Sequence, residues 1–426
     1  MALLTWSIYI GCYEILPLDK FDFLNSLFYK LNKIEINKGE IHKDLISIKD
    51  SGKILLIDDE AIKGWDIFYN ELFKDAVNIE FFESKINFEN RTKLQIIEDL
   101  KNRIYQVNPD LVLLDIRLCE EDFDAKLPPN KLSGYLIAEI IKDFNEGIQI
   151  IITSASNKIW NFSAFEKFGS IDYLLKSNDL DLKKQFDDFA FSINMKLKQS
   201  HLLKSVFSKI KFTLQQLGEL SNQGDFGNEF LDKTRNHLET SFALLEKSIH
   251  DPVYMNHAYL QLYFILEDFA DSESVFVEGE ECSVRLNKET HAVVLVMQET
   301  LKDNSVNYEC PIVYKNGRYR LGKSETGPIR GKLSMNLKMN LILFFRYGGN
   351  HRSIENWNKL NQIRNAKAGH SGSDSLVERD DLFLIFEFIQ FILDCKNIDD
   401  KHKNESLKVS LEDKKKALLE RFNSKK

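Results

Sequence analysis

The order of apolar and polar positions changes character near residue 180. Before it, short apolar runs alternate with segments of helical length. The runs are KILLI (53–57), the apolar stretch inside IYQVNPDLVLLDIRL (104–118), IQIIITSAS (148–156) and IDYLLKS (171–177). Apolar runs too short for helices and separated by helical segments predict a parallel sheet covered on both faces. Residues 53–199 are therefore expected to form one doubly wound α/β domain, with these four runs as members of a parallel five-stranded sheet. Its functional groups should stand at the carboxyl ends of the strands.

Beyond that point the pattern becomes helical. The stretch LKKQFDDFAFSINMKLKQSHLLKSVFSKIKFTLQQLGEL (182–220) has apolar residues at three- and four-residue spacings, with no Gly or Pro before Gly218. It predicts a long helix carrying the first domain into the next, either as a dimer seam or packed on its own domain. Residues 200–400 are expected to form a mainly α-helical bundle, with a β-containing insertion over 272–330. Within the insertion, IVYKNGRYRL places Asn316-Gly317 between two runs, a β-hairpin signal. Residues 1–50 are an N-terminal extension without an assigned role, and 401–426 are a basic tail that forms at most a short frayed helix.

Composition adds limits. A chain of 426 residues calls for two or three cores, and 43% hydrophobic with 29% charged residues describes a globular protein. The five cysteines (Cys12, Cys119, Cys282, Cys310, Cys395) are far apart and lack paired spacing, which suggests free thiols in a reducing cytoplasm rather than disulfides or zinc. The apolar start lacks a preceding cation and is broken by Gly11, Glu14 and Pro17, so neither a signal peptide nor a membrane span is expected. Net charge is −8, yet residues 311–332 and 401–426 each carry +5, so a polyanion would be met in the C-terminal half.

The strand ends of the first domain carry the strongest chemical signal. Asp58 and Asp59 follow the first run, Asp115 the second, Thr153 lies in the third and Lys176 ends the fourth. Three carboxylates at one sheet edge repel unless a cation joins them, and Mg²⁺ suits such an oxygen donor set. An acid beside that cation can attack a phosphoryl donor while a lysine and a hydroxyl steady the added charge. These residues and spacings resemble the receiver domain of two-component response regulators over the whole of 53–199.

The resemblance implies Asp115 as phosphoacceptor, with a histidine kinase as partner. It implies Mg²⁺, at this site only, held by Asp58, Asp59, Asp115 and the backbone carbonyl of Arg117. Thr153 and Tyr173 would be the switch residues and Lys176 the phosphate-binding lysine. Two features depart from the family: Ser177 stands where a proline is usual, and the loop after Asp115, CEEDFDAKLPPNKLSG, is long and acidic. That loop is read as a solvated insertion, with shielding of the site or kinase selection as alternatives.

Two Arg/His pairs occupy the C-terminal half, Arg346 with His351 and Arg364 with His370. The first lies around Gly-Gly, where a loop would fix neither side chain. The second follows Trp357, Leu360 and Ile363, which share one helical stripe. In an unbroken helix Arg364 and His370 would diverge by about 240°, so a left-handed Gly369 just past the helix end is expected to bring them together. This setting, with Asn365 after the arginine, resembles the Arg-x4-6-His motif of HEPN domains, helical bundles many of which are dimeric, metal-independent endoribonucleases.

The resemblance implies that Arg364, Asn365 and His370 are catalytic, across a homodimer, on single-stranded RNA. Histidine suits proton transfer and arginine the phosphorane charge. The basic hairpin residues Lys315, Arg318, Tyr319 and Arg320 could hold that RNA through charge and stacking. The expected protein is thus a cytoplasmic response regulator with a HEPN-like effector. The alternatives are a non-catalytic, phosphorylation-controlled RNA- or protein-binding module and a receiver that serves only as a docking platform.

Overall fold

A computed structural model of the chain describes residues 3, 6, 48–124, 126–154, 165, 168, 171–176, 182–223, 228–249, 251–272, 274–278, 281–286, 289–294, 297–300, 306–315, 318–325, 335–347, 351–369 and 375–394. The chain divides into two compact units, Met1–Ser208 and Lys209–Lys426. No helix among the described residues is long and apolar enough to cross a membrane.

The first unit is built on β1 (Gly52–Ile57), α1 (Trp65–Phe73), β2 (Ile79–Glu83), α2 (Lys93–Val107), β3 (Leu111–Leu114), α3 (Ser133–Phe144), β4 (Gln149–Ser154), β5 (Asp172–Leu175) and the first part of α4 (Leu182–Gln223). The five strands form one sheet in the order β2-β1-β3-β4-β5, and every pairing is parallel. The apolar runs have no polar face because both sheet faces are covered. Successive side chains alternate between two cores. Leu55, Ile57, Val112, Leu114, Ile150 and Ile152 meet α2 and α3 through Ile96, Leu100, Ile104, Ile137 and Ile141. Ile54, Leu56, Leu111, Leu113 and Ile151 meet Trp65, Phe68, Tyr69 and Phe73 of α1 and Phe186, Phe189, Ile193 and Leu197 of α4. Each such side chain contributes about 1.5–3 kcal/mol on burial.

The second core also contains Leu3 and Trp6. Of the first 47 residues these are the two that the structure describes, and Trp6 packs against Trp65 and Phe68 of α1. The boundaries of α2 follow from local chemistry, with a Thr92/Gln95 capping box at its start and a left-handed Asn108 at its end.

Helix α4 runs without interruption across residue 199, and the units divide inside it, after Ser208. Its Lys204 Nζ donates to the carbonyls of Asn108 (3.1 Å) and Pro109 (2.9 Å) and pairs with Asp110 at 2.7 Å. A Cβ at Gly147 would stand 2.2 Å from Lys204 N, so the helix backbone passes directly over this residue. Asp110 and Gly147 precede β3 and β4, which puts this grip at the amino edge of the sheet.

The second unit contains α5 (Asn228–Lys247), α6 (Val253–Ser272), α7 (Met335–Tyr347), α8 (His351–Ile363) and α9 (Arg379–Asp394). Helix α6 touches α5, α7 and α9. Stacked rings tie the bundle together: Tyr259 to Tyr263 at 6.5 Å, Tyr263 to Trp357 at 5.7 Å, and Trp357 to Phe388 at 6.2 Å. Between α6 and α7 lie two antiparallel three-stranded sheets, β6 (Ser274–Glu278), β7 (Glu281–Leu286) and β8 (Glu289–Val294), then β9 (Met297–Thr300), β10 (Val306–Lys315) and β11 (Arg318–Glu325). Arg346 lies within α7 and His351 opens α8, so the pair expected in a loop instead occupies two helices.

Two glycines provide a paired test of packing. Gly147→Ala should cost about 1–3 kcal/mol through overpacking. Gly218→Ala should gain up to about 1 kcal/mol, because Gly218 is helical and has no heavy atom within 4 Å of an added Cβ among the described residues. Urea midpoints of the two variants should therefore move in opposite directions.

Candidate functional site

The strand order reverses between β1 and β3, the position at which open α/β sheets bind ligands beyond the carboxyl ends of their strands. Both strands end in acid. Ile57 lies opposite Leu114, and the Asp115 N–H donates to the Ile57 carbonyl at 2.9 Å. Register thus fixes Asp58, Asp59 and Asp115 side by side, and one oxygen from each lies within 4.8 Å of the others. Asp58 is fully buried, with its Oδ1 accepting from Glu60 N at 2.9 Å.

Lys176 follows β5, whose end is set by the Lys176 N–H donating to Ser154 O at 2.9 Å. Its buried ammonium reaches Asp58 Oδ2 at 2.5 Å and Asp115 Oδ2 at 3.2 Å. Burial works against the charged lysine, but Asp58 and then Asp115 outweigh it, so its pKa lies above the ordinary value. On the acidic side, burial and then Asp115 and Asp58 push the Asp59 carboxyl up to about 7. Burial likewise raises Asp115 to about 6, with Lys176 opposing and Asp58 adding to the rise. One ammonium does not neutralise three carboxylates. The remaining negative charge and the oxygen donor set fit a hard divalent cation such as Mg²⁺.

Thr153, inside β4, is fully buried, and its hydroxyl has no hydrogen-bond partner among the described residues. Tyr173 is half-buried on β5 and hydrogen-bonds Ser154. Arg117 donates its N–H to Asp115 Oδ1 at 3.4 Å, and its guanidinium lies 5.3 Å from the Phe123 ring centre. Ser177 lies outside the described residues.

The loop after Asp115 corrects an expectation. It is not simply a solvated insertion, because Asp122 inside it is buried. This carboxylate accepts from Leu118 N at 3.0 Å, Ser133 N at 3.1 Å and the Ser133 hydroxyl, and pairs with Lys93 at 2.7 Å. Burial alone would raise Asp122, but Lys93, Ser133 and Leu118 together hold it below the usual carboxylate range. Next to Ser133, a Cβ at Gly134 would lie 2.4 Å from the Asp115 carbonyl, so α3 starts directly against the Asp115 backbone.

Two aromatic residues of α1 also face the site, and sequence reasoning assigned them no role. The Lys176 ammonium lies 4.8 Å from the ring centre of Trp65, and the Tyr69 hydroxyl is buried without a partner among the described residues. Trp65, Phe68, Tyr69 and Phe73 do fall on one helical stripe, but such a stripe reads as core.

In the helical unit Arg364 and Asn365 stand on a π turn, Arg364–Ala368, that continues α8. Gly369 is not left-handed, as expected, but adopts φ −89°, ψ −9°. Its glycine identity answers a close approach instead: its N–H donates to Arg364 O at 2.7 Å, and a Cβ would meet that oxygen at 2.8 Å. The turn is anchored by Asn256, which donates to Lys367 O at 3.1 Å, and by a 2.7 Å Lys367–Asp381 pair. Arg364 donates to Asn365 Oδ1 at 3.0 Å and lies 5.9 Å from the Tyr263 ring centre. His370 lies outside the described residues, as do the side chains of Lys315, Arg318, Tyr319 and Arg320. Strand register places Lys315 opposite Arg318 and Tyr314 opposite Tyr319.

The sheet order, acidic trio and lysine define the class of the first unit, a receiver-like α/β fold. No protein-family model and no curated protein matches the chain. Among matching solved structures is the signal receiver domain of a Luxo repressor protein from Vibrio parahaemolyticus, at 21% identity and a TM-score of 0.24, covering 36% of this chain and 94% of that one.

The raised carboxylates yield a pH prediction. Asp59 and Asp115 bind protons more tightly folded than at the ordinary 3.8. Their contribution to stability is therefore full below that value and lost as pH rises through 6 to 7. In EDTA, wild-type melting temperature should fall between about pH 5 and about pH 8 more steeply than that of Asp59→Asn, and added Mg²⁺ should restore more at the higher pH. Asp122 acts in the opposite sense, so the comparison with Asp59→Asn isolates the trio.

Proposed function

We propose that this protein is a response regulator in which phosphorylation of Asp115 controls the helical unit. The observation that carries the reading is the meeting of Asp58, Asp59 and Asp115 with the Lys176 ammonium at the switch point of the sheet. Mg²⁺ held by Asp58, Asp59, Asp115 and the Arg117 carbonyl supplies the positive charge that lets carboxylates and a phosphoryl group share the crevice. An Asp115 oxygen attacks the phosphorus of a phosphohistidine on a partner kinase, and the P–N bond breaks. Lys176 then donates to a phosphoryl oxygen. Thr153 has a buried hydroxyl free among the described residues to do the same, and Tyr173 of β5, hydrogen-bonded to Ser154 of β4, relays the change in charge.

The reading predicts Mg²⁺-dependent labelling of the wild type by acetyl phosphate, loss of the label in Asp115→Asn, and labelling at least tenfold slower in Lys176→Ala. Wild-type protein that takes no label despite binding Mg²⁺ supports the docking-platform alternative instead.

For the helical unit, we propose a HEPN-type endoribonuclease acting on single-stranded RNA as a homodimer. The supporting observation is the π turn, a local distortion common at functional sites, which anchors Arg364 beside Asn365 and Tyr263. Arg364 steadies the phosphorane, His370 moves protons, and the basic hairpin with Lys315, Arg318, Tyr319 and Arg320 holds the strand.

A second reading, a non-catalytic binding module, is favoured by a shallow groove of about 670 Å³ along α8 and the π turn. Its lining sets the amides of Asn358, Asn361, Gln362 and Asn365 beside Glu355 and Lys359, a mixed polar surface suited to recognition. RNA incubated in EDTA, with and without a phosphoryl mimic, separates the two. The nuclease reading expects cut products that fall at least a hundredfold in Arg364→Ala and His370→Ala, whereas the binding reading expects retention without cutting.

A further inference from the structure

We propose that Trp65 is a positioning residue for Lys176, and that its indole face, backed by a cluster of aromatic rings, orients the ammonium for phosphoryl transfer to Asp115. The inference rests on the receiver reading of the site.

The Lys176 ammonium has three N–H donors and is almost wholly removed from water. Two donors have partners, Asp58 Oδ2 at 2.5 Å and Asp115 Oδ2 at 3.2 Å. On another side the ammonium lies over the indole face, 4.8 Å from its centre. A cation over tryptophan is attracted by the ring quadrupole, most strongly where water is excluded, and Trp65 is only 4% exposed. The indole therefore takes a place that water fills around an ordinary lysine.

The indole is itself fixed. Trp6 meets it edge-on at 5.4 Å, Phe68 at 5.6 Å and Tyr69 at 6.0 Å. Trp6 in turn contacts Phe68 at 5.7 Å and Phe186 of α4 at 5.5 Å. Behind the wall, the buried Tyr69 hydroxyl shares the electrostatic surroundings of Lys176, Asp58 and Asp115.

This arrangement bears on the chemical step. When Asp115 gains a phosphoryl group, Lys176 must exchange a carboxylate oxygen for a phosphoryl oxygen. A π face attracts the cation without holding it to one donor direction, so it confines the ammonium to the crevice and leaves that exchange open. A carboxylate in the same place would hold it, and water would let it move away.

The test uses the full chain with Mg²⁺ and acetyl phosphate, and reads the initial rate of Asp115 labelling. The variants are Trp65→Leu, which keeps apolar bulk without the π face, Trp65→Phe, which keeps a weaker face, and a series of fluorinated tryptophans at position 65 alone. Fluorination drains the ring quadrupole with almost no change of shape, so this series stays informative even if Trp65→Leu does not fold. We expect labelling about tenfold slower in Trp65→Leu, partial recovery in Trp65→Phe, and a stepwise fall with each added fluorine at unchanged urea midpoint. Ring-current shifts of the Lys176 side-chain protons should vanish in Trp65→Leu. A labelling rate independent of fluorine number overturns the proposal while leaving the receiver reading in place. Absence of label in the wild type overturns that reading and this proposal with it.

Discussion

The first unit depends on one electrostatic constraint: carboxylates from two strand ends are held together away from water by a single ammonium from a third. Lys176 joins the end of β5 to the ends of β1 and β3, which are neighbours only because the strand order reverses between them. The pair with Asp58 is buried on both sides, so removing Lys176 strands the Asp58 charge in the interior, a loss of about 3–5 kcal/mol in comparable sites, whereas Lys176 without Asp58 would still have Asp115. The same burial leaves Asp59 and Asp115 with raised affinity for protons, and so open to a cation or to chemistry that changes their charge. Stability and reactivity meet in one cluster.

Around it the chain has built supports on two sides. On one, Asp122 gathers Leu118, Ser133 and Lys93, so the loop that follows Asp115 is tied to the start of α3 and to α2. On the other, α1 presents Trp65 to the ammonium, and Trp6, far away in sequence, closes over that ring. At the opposite edge of the sheet, Lys204 and the contact over Gly147 clamp α4 to the loops before β3 and β4. A rearrangement at the carboxyl ends therefore acts on a sheet whose amino edge is already held by this helix.

In the helical unit the organising feature is the column of stacked rings from Tyr259 to Phe388, on which the π turn rests. The turn widens α8 by one residue where Arg364 begins. Its carbonyls are not orphaned: Asn256 and Gly369 donate to two of them. Arg364 thereby keeps a defined place beside Tyr263 rather than at a frayed helix end.

Much of the first unit was legible in the sequence. Unbroken apolar runs such as Val112–Leu114 can be satisfied only by a sheet covered on both faces, and the residue after such a run must stand at the strand's carboxyl end. The positions of Asp58, Asp115 and Lys176 follow from that periodicity. What periodicity cannot carry is contact across the chain. Trp65 reads as one more core residue on a helical stripe, and only the fold puts its face under an ammonium from β5. Asp122 reads as one acid among several in a polar loop, and only the return of Ser133 and the reach of Lys93 make it a buried node. Gly369 reads as a left-handed cap, but the close passage of the Arg364 carbonyl accounts for it. Local pattern determined which elements form and where their ends lie, because backbone hydrogen bonding and burial act along the chain. Which side chain meets which, and so what each charge experiences, was decided by tertiary packing, because electrostatic and ring contacts depend on distances that no spacing in sequence encodes.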